Sequence, residues 1–312
     1  MMAIKFHKPV LLEEVLNLMN DNMEVIVDAT CGNGGHSYSI AYTYKDSIKA
    51  LYCFDKDPTS LQIAKERLLE FDFVRCINKS YAEIESVLKK DVIRADFILF
   101  DLGLSMWQIT SSQRGFSFKS DEILDMRYNP ENGLPVYLIL QRINPIDLAK
   151  VFKAYGDVKG ARKLANVIVR ERKRTKIKTT FDLVGILKTQ YLSEKEIQKV
   201  FMSLRIYVNN ELIELITGIT RALNVLNNNG IIAFITYHSI EDRIVKRISN
   251  IQGMVKIKPY PIKPKEDEIK HNKSARSAKL RAFIKGGDYA EETSHTVFNT
   301  MAFDFPSPFF SA

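Results

Sequence analysis

Cysteine is scarce in this 312-residue chain, and Cys31, Cys53 and Cys76 form no C-x-x-C pair and stand far apart. An odd number without paired spacing excludes a disulfide framework and a cysteine-based zinc module, and fits reduced, structurally incidental thiols in a cytoplasmic protein. No apolar run approaches the roughly 18 residues that a membrane-spanning helix needs. The opening Met1 to Pro9 lacks the apolar stretch of a signal peptide. His7, His271 and His295 show no ligand spacing and no H-E-x-x-H occurs, so no metal is expected. Neither disorder nor a collagen-like repeat suits a chain that is 46% hydrophobic and 26% charged. What the chain does carry is length for one large domain or two, and a basic surplus. Its 45 Lys and Arg against 37 Asp and Glu leave +8, which favours a polyanionic partner.

The first hundred residues alternate in the α/β manner. Short β-branched or aromatic runs at 24–29, 49–54, 73–77 and 95–100 each end in polar or glycine residues. Helix-length segments separate them, and Asp57-Pro58 opens one with a cap residue and a first-turn proline. Strands spaced by helices predict a mostly parallel sheet covered on both faces. Residues 102–133, rich in Gly, Ser, Asp and Asn, read as a structured loop. From Pro145 to about Phe201 the pattern is helical, and residues 150–178 hold eleven Lys and Arg against Asp157 and Glu171. The α/β rhythm then resumes. A helix from Tyr207 to Leu226 is stopped by Asn227-Asn228-Asn229-Gly230, a strand follows at 231–237, and a helix starts at Ser239. Residues 256–273 read as a surface loop and 280–284 as a strand closing the sheet. The simplest organisation is a two-segment core, 1–108 and 206–312, with a helical domain inserted at 109–205.

Between the first strand and its helix lies Asp28-Ala29-Thr30-Cys31-Gly32-Asn33-Gly34-Gly35-His36. Glycines there let the backbone turn tightly and approach a ligand in front of the helix amides. Asp55 ends the next strand, about 20 residues on, where a Rossmann-type site places its acceptor for ribose hydroxyls. The G-x-G-G spacing departs from the G-x-G-x-x-G of a nicotinamide-dependent oxidoreductase and looks more like a loop for S-adenosylmethionine.

A more specific likeness rests on several motifs in order. These are Phe6-His7-Lys8-Pro9-Val10-Leu11-Leu12-Glu13-Glu14-Val15, Asp101-Leu102-Gly103-Leu104-Ser105 with Gln108, Arg114-Gly115-Phe116-Ser117-Phe118, Leu124-Asp125-Met126-Arg127, Ser203 through Leu212, His238-Ser239-Ile240-Glu241-Asp242-Arg243, and Ala275 through Arg281. Over about residues 6–285 the chain resembles the bacterial 16S rRNA cytosine-N4 methyltransferases, the RsmH (MraW) family. That resemblance implies an α/β class I S-adenosylmethionine-dependent methyltransferase, Rossmann-like, with an inserted helical domain that helps to recognise RNA. It implies cofactor contacts at Gly34, Gly35, His36, Asp55, Asp101 and Gln108, with Tyr81 in place of a Phe against the adenine. The implied partner is 16S rRNA, within the small ribosomal subunit, with no membrane or DNA role. Trp107 stands where a proline is usual, and Asn272-Lys273-Ser274 replaces an Asn-Pro-Arg.

Methylating cytosine N4 requires alignment with the methyl–sulfur bond and acceptors for the amine hydrogens, because the ring withdraws the nitrogen lone pair. Asp101, Ser105 and His238 fall beyond the carboxyl ends of two strands, where ligands of open α/β sheets bind. Asp101 is read mainly as positioning the cofactor, and Ser105 and His238 as candidates near N4. A strand-end cap is the competing account of His238, as a helix-start contact is for Asn209, which otherwise reads a base edge. Trp107 either stacks on a base or the cofactor adenine, or packs. Arg170, Arg172, Lys173 and Arg174 are the expected RNA contacts on the insert. Two other accounts remain open: a basic ribosome-assembly factor that keeps an inactive methyltransferase-like fold, and a methyltransferase acting on another substrate.

Overall fold

The computed structural model describes residues 8–287 and Tyr289. The motif residues Phe6 and His7, and most of the tail with His295, lie outside the described residues. Seven strands form one sheet: β1 (Val25–Asp28), β2 (Ala50–Phe54), β3 (Val74–Ile77), β4 (Ala95–Asp101), β5 (Leu226–Thr236), β6 (Met254–Lys256) and β7 (Lys279–Lys285). Their order is β3-β2-β1-β4-β5-β7-β6. The first five pair in parallel, and β7 runs antiparallel between β5 and β6. The expected closing strand is therefore internal, and Met254–Lys256 is the edge. This is the mostly parallel class I methyltransferase architecture that the motifs imply.

Helices on both faces explain why the central strands are continuous apolar runs rather than alternating ones. Phe97, Ile98, Leu99 and Phe100 of β4 are buried, as are Ile232 to Ile235 of β5. Phe100 stacks on Phe234 at 4.9 Å, and Phe234 meets Phe283 edge-on at 6.4 Å. Each such ring contributes roughly 1.5–3 kcal/mol by burial.

The chain divides into two compact units, one holding the sheet up to Gly103 and from Ile213 onward, the other Leu104–Leu212. Cuts at 108/109 and 205/206 would each fall inside a helix, Met106–Thr110 and Glu194–Val208. In the second unit, Pro145–Gly156, Ala161–Glu171, Thr180–Lys188 and Glu194–Val208 are helices, as the periodicity predicts. Ala161, Leu164, Ala165 and Ile168 line the buried face of the second of these, while Arg162, Lys163, Asn166 and Arg170 stay exposed.

Three local readings differ from the structure. The helix expected over 207–226 is interrupted at Asn210, whose φ of 54° is left-handed, between Val208 and Glu211. The Asn227–Gly230 run lies within β5 rather than stopping a helix. Ala95 pairs with Leu226 and Phe97 with Ile231, so residues 227–230 oppose Asp96 as a bulge. Asp96 accepts from Asn227 Nδ2 at 2.7 Å and from Glu24 N and Val25 N at 2.9 and 3.0 Å, tying the bulge to β1. The surface stretch 256–273 contains the helix Glu266–His271. Among the described residues no helix is long and apolar enough to cross a membrane.

Candidate active site

β1 ends at Asp28, and its loop delivers Gly34 as the cap of the helix Gly35–Thr43. Gly34 has φ 75°, and a Cβ there would press on Ala64 at 3.3 Å; one on Gly35 would meet Pro9 at 2.9 Å. Gly34 is thus demanded by backbone conformation, and Gly35 by packing within the chain. Asp28 is buried and accepts from Ser37 Oγ at 2.6 Å and Thr30 N at 3.2 Å. Burial holds its carboxyl above the ordinary range.

Asp55 follows β2, as expected of a ribose acceptor. Its Oδ2 accepts from Gly32 N and its Oδ1 from Asp57 N, both at 2.8 Å, so strand end and glycine loop share one carboxylate. Burial raises its pKa to about 6 against the opposing pull of those amides. Each oxygen accepts from one of these amides and has a further lone pair.

At the end of β4, Asp101 is gripped from both flanks. Its amide donates to Thr30 Oγ1 at 2.6 Å, and its Oδ1 accepts from the Tyr237 hydroxyl at 2.8 Å. Its Oδ2 lies 3.4 Å from His36 Nε2, a contact that becomes an ion pair when the ring is protonated. Burial and then the Asp101 charge push the Tyr237 phenol well above its usual range. Among the described residues, both ring nitrogens of buried His36, and Asn33 Oδ1, lack hydrogen-bond partners. Unsatisfied polar atoms in a glycine loop, beside two carboxylates, suit a ligand with an ammonium group and hydroxyls. The chemistry of the site therefore fits S-adenosylmethionine. The sequence reading missed Tyr237, although it immediately precedes the His238–Arg243 motif.

The other expected site residues have the following local contacts. His238 caps the helix Ser239–Lys246: its Nδ1 accepts from Glu241 N at 3.4 Å, and its Nε2 lies 2.8 Å from Glu241 Oε1. The capping account of His238 is the one its geometry supports. Ser105 and Gln108 belong to the second unit and form a reciprocal capping box on Met106–Thr110. Tyr81 meets Phe100 edge-on at 5.4 Å, over Gly218, where a Cβ would come within 2.5 Å of the ring. Trp107 packs with Arg114, whose guanidinium lies 5.6 Å from the ring centroid.

Two expected RNA contacts are corrected. Buried Asn209 donates to Met126 O at 2.7 Å and Arg205 O at 3.0 Å, and accepts from Tyr128 N at 2.8 Å. Its amide is committed to the fold and reads no base. Arg172 donates to Leu140 O and Ile143 O at 2.6 and 2.7 Å, satisfying carbonyls at the end of the helix Val136–Arg142. Arg170, Lys173 and Arg174 remain exposed, with Glu171 alone between Arg170 at 3.1 Å and Arg174 at 3.7 Å. The cysteines, distant in sequence, are gathered beneath the loop. Cys53 pairs with Cys76 across β2 and β3, and Ser37 Oγ lies 3.3 Å from Cys53 Sγ and 3.5 Å from Cys31 Sγ.

Residues 4–286 match the model of the MraW methylase family. The chain is 40% identical over 289 residues to "Ribosomal RNA small subunit methyltransferase H" of Sulfurihydrogenibium sp., covering 88% of this chain and 97% of that protein. The protein of that name from Brachyspira hyodysenteriae is 37% identical over 290 residues, covering 88% and 95%. That of Persephonella marina is 38% identical over 288 residues, covering 88% and 97%.

Proposed function

This chain belongs to the MraW methylase family, and from that premise we propose that it methylates the N4 amine of a cytosine in the decoding region of small-subunit rRNA, in the cytoplasm. S-adenosylmethionine, when bound, supplies a methyl already activated on a sulfonium. Asp55 holds the ribose hydroxyls through the lone pairs beyond its two amide bonds. Asn33 and His36, with unsatisfied polar atoms, and the Gly34-Gly35 turn hold the amino-acid end. Asp101 accepts a hydrogen from N4, because Tyr237 fixes one of its oxygens and leaves the carboxylate oriented at the end of β4. Withdrawing that hydrogen frees nitrogen electron density for an in-line attack. Ser105 and Gln108 shape the turn after β4. The exposed Arg170, Lys173 and Arg174 meet RNA phosphates.

The observation that carries this reading is the intact set of Asp55, Asp101 and the glycine loop in a chain with relatives named as rRNA methyltransferases. An inactive assembly factor has no need to keep all three. Purified protein is incubated with S-adenosylmethionine and small-subunit particles from cells lacking the protein, and digested nucleosides are read by mass spectrometry. Gain of N4-methylcytidine is expected. Methyl on carbon 5, on another base or on nothing refutes the proposal.

A further inference from the structure

A cavity of about 400 Å³ opens beyond the end of β5, lined among others by Tyr237, His238, Ser239, Lys263, Arg276 and Lys279. That is room for a nucleotide-sized group. The lining carries several basic side chains and no carboxylate. Two of them are already engaged: Lys279 Nζ lies 3.2 Å from Asp242 Oδ2, and His238 is held by Glu241. Lys263 and Arg276 are different. Both are exposed, and neither has a hydrogen bond or ion pair among the described residues. Their neighbours on the same segment do pair, Lys265 with Glu13 at 3.5 Å and Lys270 with Asp267 at 3.1 Å. The nearby acids are occupied too. Glu268 accepts from Leu11 N at 2.7 Å, and Asp242 is bonded to Arg281 at 2.7 Å. Two uncompensated cations facing one cavity, with the hydroxyls of Ser239 and Ser277 beside them, form a receptor for an anion whose oxygens accept from these donors.

The cavity also has a fixed relation to the chemistry. Tyr237 lines it and donates its hydroxyl to Asp101 Oδ1, whereas Asp101 Oδ2 faces His36 and the glycine loop. The carboxylate thus stands between a cofactor side and a cavity side. We infer that this cavity binds a phosphodiester of the RNA substrate through Lys263 and Arg276, flanking the nucleotide presented to Asp101. The inference rests on the proposed RNA methyltransfer and names the part of the chain that holds the acceptor strand.

The test pairs the double variant Lys263→Gln/Arg276→Gln with a control of equal charge loss, Lys265→Gln/Lys270→Gln. Affinity for a mixed-sequence single-stranded oligoribonucleotide is measured by fluorescence anisotropy across a salt series, and S-adenosylmethionine affinity by calorimetry. Loss of two charged contacts should weaken RNA binding roughly ten- to a hundredfold. The log–log salt slope should become shallower by about 0.7, the share of one single-strand phosphate. Cofactor affinity should hold, and the control should change the slope much less. Unchanged RNA affinity and slope, or an equal effect of the control, overturns the inference. So does a loss of cofactor affinity with RNA binding intact, which would assign the cavity to the methionine carboxylate. Failure of the wild-type chain to methylate small-subunit particles refutes the activity separately, since the variant comparison reads binding alone.

Discussion

Cofactor affinity should depend on pH through Asp55. Burial holds its carboxyl at about 6 in the cofactor-free chain, against an ordinary 3.8. Ribose hydroxyls bond best to the charged form, so binding lowers that pKa and releases a proton. Above about pH 7 the dissociation constant should be flat. Below 6 it should rise about tenfold per pH unit, or about 1.4 kcal/mol, until the pKa of the complex is reached. Asp55→Asn isolates the effect. An amide has one acceptor oxygen, so it satisfies Gly32 N or Asp57 N but not both, and offers the ribose no charge. The variant should bind about one to two decades more weakly at pH 8, with little pH dependence. Stability gives an independent reading of the same group. Because the folded pKa is raised, the contribution is present below about pH 4 and is lost as pH rises through 6. The unfolding free energy of wild type relative to Asp55→Asn should therefore fall by up to about 3 kcal/mol between pH 4 and 7. Calorimetric titration from pH 5 to 8 and urea melts supply both curves. A wild-type affinity flat down to pH 5, with an Asp55→Asn variant binding as tightly, refutes the assignment.

Asp242→Asn should cost about 3–5 kcal/mol at pH 7, because it leaves Arg281, 3% exposed, with an uncompensated charge. Burial works against the Asp242 carboxylate, but Arg281 and Lys279 hold its pKa to about 2. Its contribution is therefore present above about pH 4, and the denaturant-melt difference should close as pH falls through 2. Asn209→Ala orphans Tyr128 N and the carbonyl of Met126, so it should lower the melting free energy by about 1–3 kcal/mol while RNA affinity in the folded variant stays unchanged. Substituting Arg170, Lys173 and Arg174 with Gln should flatten the RNA salt slope by roughly 0.7 per lost phosphate contact, as measured by anisotropy. Arg172→Gln should instead lower the melting temperature and leave that slope alone, since Arg172 serves the carbonyls of Leu140 and Ile143.

Sequence alone determined what local chain chemistry encodes. Apolar runs ended by polar residues marked β1 to β4 within a residue or two, and Asp57-Pro58 marked the start of its helix. The Asp28–His36 loop with Asp55 behind it was legible because a strand, a tight turn and a distal acid recur at fixed offsets. The quoted motifs carried the family for the same reason, as contiguous residues. Tertiary structure decided the roles of groups whose partners are remote in the chain. Tyr237 reaches Asp101 only because β5 lies beside β4, with Asp101 level with Ile235. Asn209 and Arg172 look like free polar groups until Met126, Leu140 and Ile143 place carbonyls against them. The cysteines meet because β3 pairs with β2 in the register that sets Cys76 opposite Cys53. Lys263 and Arg276 face one cavity through the path of the chain between β6 and β7. Short-range propensity acts over one turn or one strand. Strand order and register, which bring these side chains within hydrogen-bonding distance, are set by burying all the apolar runs at once, and no single window of residues contains them.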